Sequence, residues 1–112
     1  MTLAEFEAVV TAAVAELPPP IRAALQNIAI VIEDRSCDDA DLLGLYEGTP
    51  LPERTSTDLP DMPDKITLFR RNLEAMCSSV ADLRAEIRTT LFHEIGHYFG
   101  LTEEQLAALG YE

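Results

Sequence analysis

The feature that most constrains the fold is a long apolar stripe near the end of the sequence. Ser79 and Asp82 have the spacing of a helix N-cap and a first-turn acid, and Gly100 is a residue typical of a helix end. Between them, apolar residues recur every three or four positions: Val80, Leu83, Ile87, Leu91, Ile95 and Tyr98. This is the period of one helix face. We therefore predict the longest helix of the chain here, with the stripe buried against a second layer.

The N-terminal part predicts two more helices. Thr2 and Glu5 have the spacing of a capping box, and apolar residues at helical intervals follow over residues 1–17. Three prolines at 18–20 end this helix, and the last of them is compatible with the first turn of a short second helix.

Two segments predict strands. Residues 28–32 are a continuous apolar run, typical of a buried strand, whereas residues 65–70 alternate polar and apolar side chains, typical of a strand with one buried face. The charged ends of the second segment indicate a sheet edge. The prediction is a single α+β domain over residues 1–112, with a minimal sheet near 28–33 and 65–70 packed on the long helix.

The stretch between the predicted strands is acidic and rich in turn-forming residues. Residues 33–64 hold ten acidic and two basic side chains, four prolines and two glycines. This composition predicts mostly loop, with room for a turn or short strand within residues 41–48. Whether the loop covers a functional site is left open by the sequence.

The charge balance excludes several classes of partner. Eight basic and 20 acidic residues give a net charge of −12, so neither nucleic acid nor an anionic membrane surface is expected as a partner. The sequence has no basic leader and no apolar run of membrane-spanning length. Cys37 and Cys77 lack metal-type spacing, which favours free thiols. We expect a cytoplasmic protein.

The two histidines of the chain lie near the end of the long helix, in a His-Glu-x-x-His pattern. His93 and His97 are four residues apart, so their imidazoles lie about 40° apart on one face and one turn apart along the helix. This spacing suits two ligands of one Zn²⁺ ion. Glu94 lies between the histidine face and the apolar stripe, where it could act as a general base on a water molecule.

A second interpretation is a pair of ordinary histidines. The helical period directs both imidazoles well away from the apolar stripe, so they are not core residues unless a second layer covers them. A pair of solvated surface histidines remains compatible with the motif alone.

The residues after the motif favour a metal site. Gly100 can end the helix in a left-handed cap, and Thr102 is a good N-cap for a last short helix, with Gln105 at its capping-box position. This reversal could return the carboxylate of Glu103 to the histidines as a third ligand, since two histidines and one carboxylate are an accepted zinc set. Glu103 could instead be an acid favoured at a helix N-terminus, and Glu104 is the rival third ligand.

Other residues near the motif have two interpretations each. Glycine at position 96 lowers helix stability by about 1 kcal/mol relative to alanine. It indicates either that the returning segment approaches the helix closely or that the residue is a neutral substitution. Glu86 and Thr90 share the histidine side, where they could hydrogen-bond an imidazole or form a solvated face. Tyr46 and Tyr111 are possible hydrogen-bond donors to a reacting group.

Residues 93–103 resemble the extended zinc signature of the zincins, His-Glu-x-x-His-x-x-Gly followed by a carboxylate or histidine. Over most of its length the chain is similar to a small bacterial group of minimal zincin-like metallopeptidases. The similar segments are residues 45–51, 63–70 and 93–101. No methionine follows the motif, so the methionine turn of the metzincin branch is absent.

The resemblance implies that His93, His97 and Glu103 bind zinc and that Glu94 is the general base. The function expected is a zinc metallopeptidase acting on a peptide or protein, with residues 65–70 as the edge to which an extended peptide adds. The alternative is a zinc-binding or degenerate zincin domain that acts as an acidic interaction module. A protein partner could complete the substrate cleft in either case.

Overall fold

The computed structural model describes residues 1–36, 41–48 and 64–108. It has the predicted α+β architecture, with three strands forming one mixed sheet and the longest helix carrying both histidines. The elements in chain order are α1 (Leu3–Ala15), α2 (Pro19–Ala24), β1 (Ile28–Glu33), β2 (Gly44–Glu47), β3 (Asp64–Phe69), α3 (Arg70–Met76), α4 (Val80–Tyr98) and α5 (Glu103–Ala108).

The strand β3 lies at the centre of the sheet, not at its edge. It pairs in parallel with β1, where Ile66 faces Ile30, and antiparallel with β2, where Ile66 faces Tyr46. Both faces are covered, since the adjacent residues Ile66 and Thr67 are buried alike. The prediction of an edge strand was wrong because the charged residue at its end, Arg70, already belongs to α3 and leaves the sheet.

The strand β1 was predicted to be buried, but it is an edge strand. Residues 28–32 are only half-buried and Glu33 is exposed, because β1 pairs with β3 alone among the described residues. The predicted short strand within 41–48 is confirmed as β2, which forms the other edge of the sheet among the described residues.

The predicted N-terminal helix is confirmed as α1. Its capping box is complete, since the Thr2 hydroxyl accepts a hydrogen bond from the backbone N–H of Glu5 while the Glu5 carboxylate accepts one from that of Thr2. Phe6, Val10 and Ala13 face the core. Proline occupies the first turn of α2, as predicted.

The helix α4 confirms the apolar stripe except at its first member. Five of the six residues are buried: Leu83, Ile87, Leu91, Ile95 and Tyr98. Val80 is 56% exposed because the first turn, with its neighbours at 78–82, projects beyond the core. Ser79 caps the helix by accepting a hydrogen bond from the backbone N–H of Asp82.

The helix α3 was not predicted, since Leu73 is its only buried residue and one apolar side chain makes no stripe.

The chain reverses after α4 through a left-handed glycine. Gly100 has φ 80°, and the N–H groups of Gly100 and Leu101 donate to the carbonyls of His97 and Gly96, both at 3.0 Å. These are the two hydrogen bonds of a Schellman motif. Thr102 and Gln105 then form the predicted capping box of α5.

Some sequence features lie outside the described residues, namely Cys37, Tyr111 and most of the acidic stretch. Cys77 is a free, half-buried thiol whose pKa is raised by burial. None of the helices in the described part of the chain is long and apolar enough to cross a membrane.

Gly96 tests the packing of α5 on α4. A Cβ atom at this position would overlap Cδ2 of Leu106, which is fully buried. We expect Gly96→Ala to lower the free energy of unfolding by about 1–3 kcal/mol through overpacking, although alanine is the better helix former by about 1 kcal/mol. Urea denaturation of the metal-free protein measures this change.

Leu106→Ala is the matched partner in a double-mutant cycle. Leu106→Ala alone should lower the free energy of unfolding by about 2–5 kcal/mol. The loss in the double variant should be smaller than the sum of the two single losses, because Leu106→Ala removes the atoms that the new Cβ would overlap. A Gly96→Ala protein more stable than the wild type would contradict this packing.

Candidate metal centre

The two histidines meet on the cleft-facing side of α4. The Nε2 atoms of His93 and His97 are 3.0 Å apart, and the imidazole planes are inclined by 78°. Their side chains are 21% and 29% exposed, so the pair lies neither in the core nor fully in solvent. Two neutral imidazoles cannot direct lone pairs at each other at this distance without a proton or a cation between them. One ring can donate an N–H···N hydrogen bond to the other at this distance, and the same approach of the two nitrogens suits a shared cation.

The glycine turn brings the carboxylate of Glu103 to the same point. Its Oε1 atom lies 3.0 Å from Nε2 of His97, and its Oε2 atom lies 3.4 Å from Nε2 of His93. Glu103 is the first residue of α5, and its side chain is 70% exposed. Glu104 is exposed and, among the described residues, forms no ion pair with either histidine. Of the two predicted rivals, the fold brings Glu103 to the histidines.

These donor atoms fit a zinc ion. Tetrahedral coordination with Zn–N bonds of about 2.0–2.1 Å places two nitrogen ligands about 3.3 Å apart, close to the separation of the two Nε2 atoms. Ligand atoms of His93, Glu94 and His97 also lie within 4.8 Å of one another. Two imidazoles and one carboxylate form a three-ligand set that leaves a fourth position open.

Glu94 differs from Glu103 in its environment. It is only 7% exposed, and its Oε2 atom is buried with no hydrogen-bond partner among the described residues. Burial raises the pKa of this carboxyl group; the nearby His97 and His93 oppose the shift, and Glu103 adds to it. A buried carboxylate with an unpaired oxygen is costly unless a ligand or water satisfies it. Glu94 therefore has the properties of a functional group more than of a structural one.

A cleft of about 720 Å³ opens beside these residues. One wall is β2 with the residues before it, the second is the histidine face of α4, and the third is the turn into α5. Gly44 allows the first two walls to approach closely, since a Cβ there would lie 2.8 Å from Cγ2 of Thr90 and 3.2 Å from Cγ of Glu94. Of the residues of β2, only Tyr46 was a predicted candidate for the site; Gly44 was the available signal for the close approach of this strand.

The remaining candidates have other partners. The Tyr46 hydroxyl donates to Oδ2 of Asp64 at 2.6 Å, and its ring packs edge-on against Tyr98. Thr90 donates from Oγ1 to Oε1 of Glu86 at 3.5 Å, instead of to an imidazole. Thr90 is also buried, so neither predicted interpretation of this pair, as imidazole partners or as a solvated face, describes it.

Comparison with known proteins gives one family match. The family model described as zincin-like metallopeptidase matches residues 25–111, which include all three strands and the whole site. No curated protein matches the chain.

The burial of Glu94 makes a prediction about the metal-free protein. Because its pKa is raised in the folded state, its ionisation opposes folding, and this loss of stability develops as pH rises from the unfolded-state pKa through the folded-state pKa. We expect Glu94→Gln to be more stable than the wild type at about pH 8, with the difference shrinking towards about pH 5. Urea denaturation across this pH range, in the presence of a chelator, measures it.

The control is Glu7→Gln, which changes an exposed carboxylate on α1. Its stability should follow that of the wild type at every pH. A difference between Glu94→Gln and the wild type that does not change with pH would contradict the assigned cause.

Proposed function

The chain belongs to the zincin-like metallopeptidase family, and we propose that it is a zinc-dependent peptidase that hydrolyses peptide bonds. The observation that carries the proposal is the convergence of two imidazoles and the Glu103 carboxylate beside a buried, unpaired Glu94. A structural metal site would have no need of that fourth group.

His93, His97 and Glu103 would hold the ion. Zinc in such a site supplies a Lewis acid for the substrate carbonyl and lowers the pKa of a coordinated water to about 7. The chain contributes the fixed arrangement of its ligands, since both histidines lie on one rigid helix and Glu103 follows a hydrogen-bonded turn. This arrangement leaves one face of the site open to the cleft.

Glu94 would act as the general base. It takes the proton of the attacking water and returns it to the leaving amine. Burial favours this role because it raises the pKa of the carboxyl group towards the value that a base working near neutral pH needs. Its unpaired Oε2 is the acceptor available for that proton.

The edge of β2 is the place where an extended peptide would bind. Among the described residues, β2 pairs with β3 alone and lines the cleft. Backbone pairing to its other side would bring a peptide past Glu94. This role was predicted for residues 65–70, and that prediction is wrong because β3 has neighbours on both sides.

A zinc-binding interaction module without peptidase activity is the second candidate. The exposure of Glu103 favours it, since a ligand held in solvent could be supported or replaced by a side chain of a partner protein. Catalysis needs Glu94, whereas metal binding does not, so the two functions are separable by experiment.

Zinc content tests the ligands. Protein purified without a histidine tag should hold about one zinc ion per chain. His97→Ala should lose it, and Glu103→Gln should bind zinc about tenfold more weakly or worse, since one of three ligands is lost. Elemental analysis and competition with a chromogenic chelator measure these values. Glu104→Gln is the matched control on the same helix, and loss of zinc from this variant instead would exchange the two assignments.

Hydrolysis tests the base. Glu94→Gln should reduce kcat by about 10²-fold to 10⁴-fold while leaving zinc content unchanged. The assay is cleavage of a mixed peptide library by zinc-loaded protein, followed by mass spectrometry. Equal cleavage by the wild type and Glu94→Gln would refute the role of Glu94. Bound zinc without cleavage by the wild type would move the interaction module to first place.

A further inference from the structure

The cleft extends along α4 beyond the candidate metal centre and reaches Glu86. Glu86 precedes His93 by seven residues, which is nearly two full turns, so both residues lie on the same face of the helix. At 1.5 Å per residue, their Cα atoms are about 10 Å apart along the axis. An extended peptide covers that distance in about three residues.

Glu86 lines the wall of the cleft, and its carboxylate makes one weak contact with the described residues, since Oγ1 of Thr90 lies 3.5 Å from its Oε1 atom. The side chain of Glu86 is half-buried, and the Thr90 hydroxyl is the donor in this contact. Thr90 is itself buried against Gly44, which fixes the donor. A carboxylate offers about four acceptor positions, so one hydroxyl leaves most of this capacity for a ligand. No lysine or arginine in the described part of the chain ion-pairs with Glu86.

Among the described residues, the acidic side chains that line the cleft have no lysine or arginine beside them in its wall. These three carboxylates are those of Glu86, Glu94 and Glu103. One divalent ion at the metal centre balances two of the three charges. The charge of Glu86 remains, in a chain whose net charge of −12 already attracts cations.

The surroundings of Glu86 also suit the stem of a long basic side chain. Leu42, Leu43 and Leu45 line the same cleft. Lysine and arginine cover apolar surface with their methylene groups while the charged end reaches a polar partner. The cleft therefore offers both kinds of contact, an apolar wall and the carboxylate of Glu86.

We propose that Glu86 determines substrate specificity, by binding a lysine or arginine side chain about three residues from the bond that is cleaved. This inference rests on the proposed peptidase function and adds the class of substrate, a basic peptide. Backbone pairing with β2 sets the register of the bound peptide, and Glu86 selects a basic side chain at one position of that peptide.

Binding to a protein that does not hydrolyse peptides tests this selection. The probe is an acetylated and amidated nonapeptide of alanine and leucine, in which one lysine is moved from position to position; acetylation leaves the side chain as the only ammonium group. We expect zinc-loaded Glu94→Gln to bind the peptide with lysine at one position about tenfold more tightly than its glutamine counterpart. Isothermal titration calorimetry with the unlabelled peptides measures the affinities.

Charge reversal gives the sharper result. In the Glu94→Gln protein, adding Glu86→Gln should abolish the preference for lysine, and adding Glu86→Lys should produce a preference for glutamate at the same position. Glu7→Lys is the control, because it makes the same change of net charge on exposed α1, outside the cleft. Circular dichroism and zinc content verify that each variant is folded and loaded.

The outcomes separate this inference from the proposed function. Three results would overturn the role of Glu86. The first is a lysine preference that survives Glu86→Gln, and the second is an equal fall of this preference in Glu7→Lys. The third is no preference for lysine at any position of the peptide. The same peptides are then given to the zinc-loaded wild type. Lysine-selective binding without cleavage refutes the peptidase proposal but leaves charge selection standing, whereas cleavage without lysine selectivity does the reverse.

Discussion

The close contact between Gly96 and Leu106 is the constraint on which the site depends. The two histidines come from one helix, and their separation is set by the helical repeat, but Glu103 belongs to a different element. It reaches them only because α5 packs directly on the backbone of α4, where a side chain at position 96 would stand in the way. The Schellman turn sets the direction of the return, and the buried Leu106 anchors it. One helix face and one glycine thus assemble three donors.

A second glycine has the corresponding role on the opposite wall of the cleft. Gly44 brings β2 so near to α4 that Glu94 is covered, and this cover raises the pKa of its carboxyl group. The fold thereby buries an acid at a position where an apolar residue would be more favourable for stability. A buried acid that lowers the stability of the fold is typical of functional sites. At both glycine positions the missing side chain allows two elements to pack closely, and this packing positions Glu103 in one case and Glu94 in the other.

Local features of this fold were predictable, and long-range ones were not. The helix α4, both capping boxes and the turn at Gly100 depend on residues a few positions apart, and each was predicted from spacing. The position of β3 depends on pairing with β1, which is 36 residues away, and nothing in residues 65–70 reveals a second neighbour. Spacing likewise gave the histidines and Glu94 as candidate site residues, but it left Glu103 and Glu104 as rivals, because the sequence does not show which of two adjacent side chains a turn directs at the histidines. The contribution of β2 to the cleft needed the structure.

The exposed position of Glu103 links coordination to local unfolding. Its helix has six residues and one buried side chain, Leu106, so α5 is an element that can open while the rest of the protein stays folded. Each opening withdraws one donor and leaves the two imidazoles in place. On the proposed assignment, an ion would therefore be able to leave and enter while α5 is open, without global unfolding. By the same linkage, the metal would protect the backbone amides of α5 from hydrogen exchange. Opening and closing of α5 would thus control the access of the ion to the site.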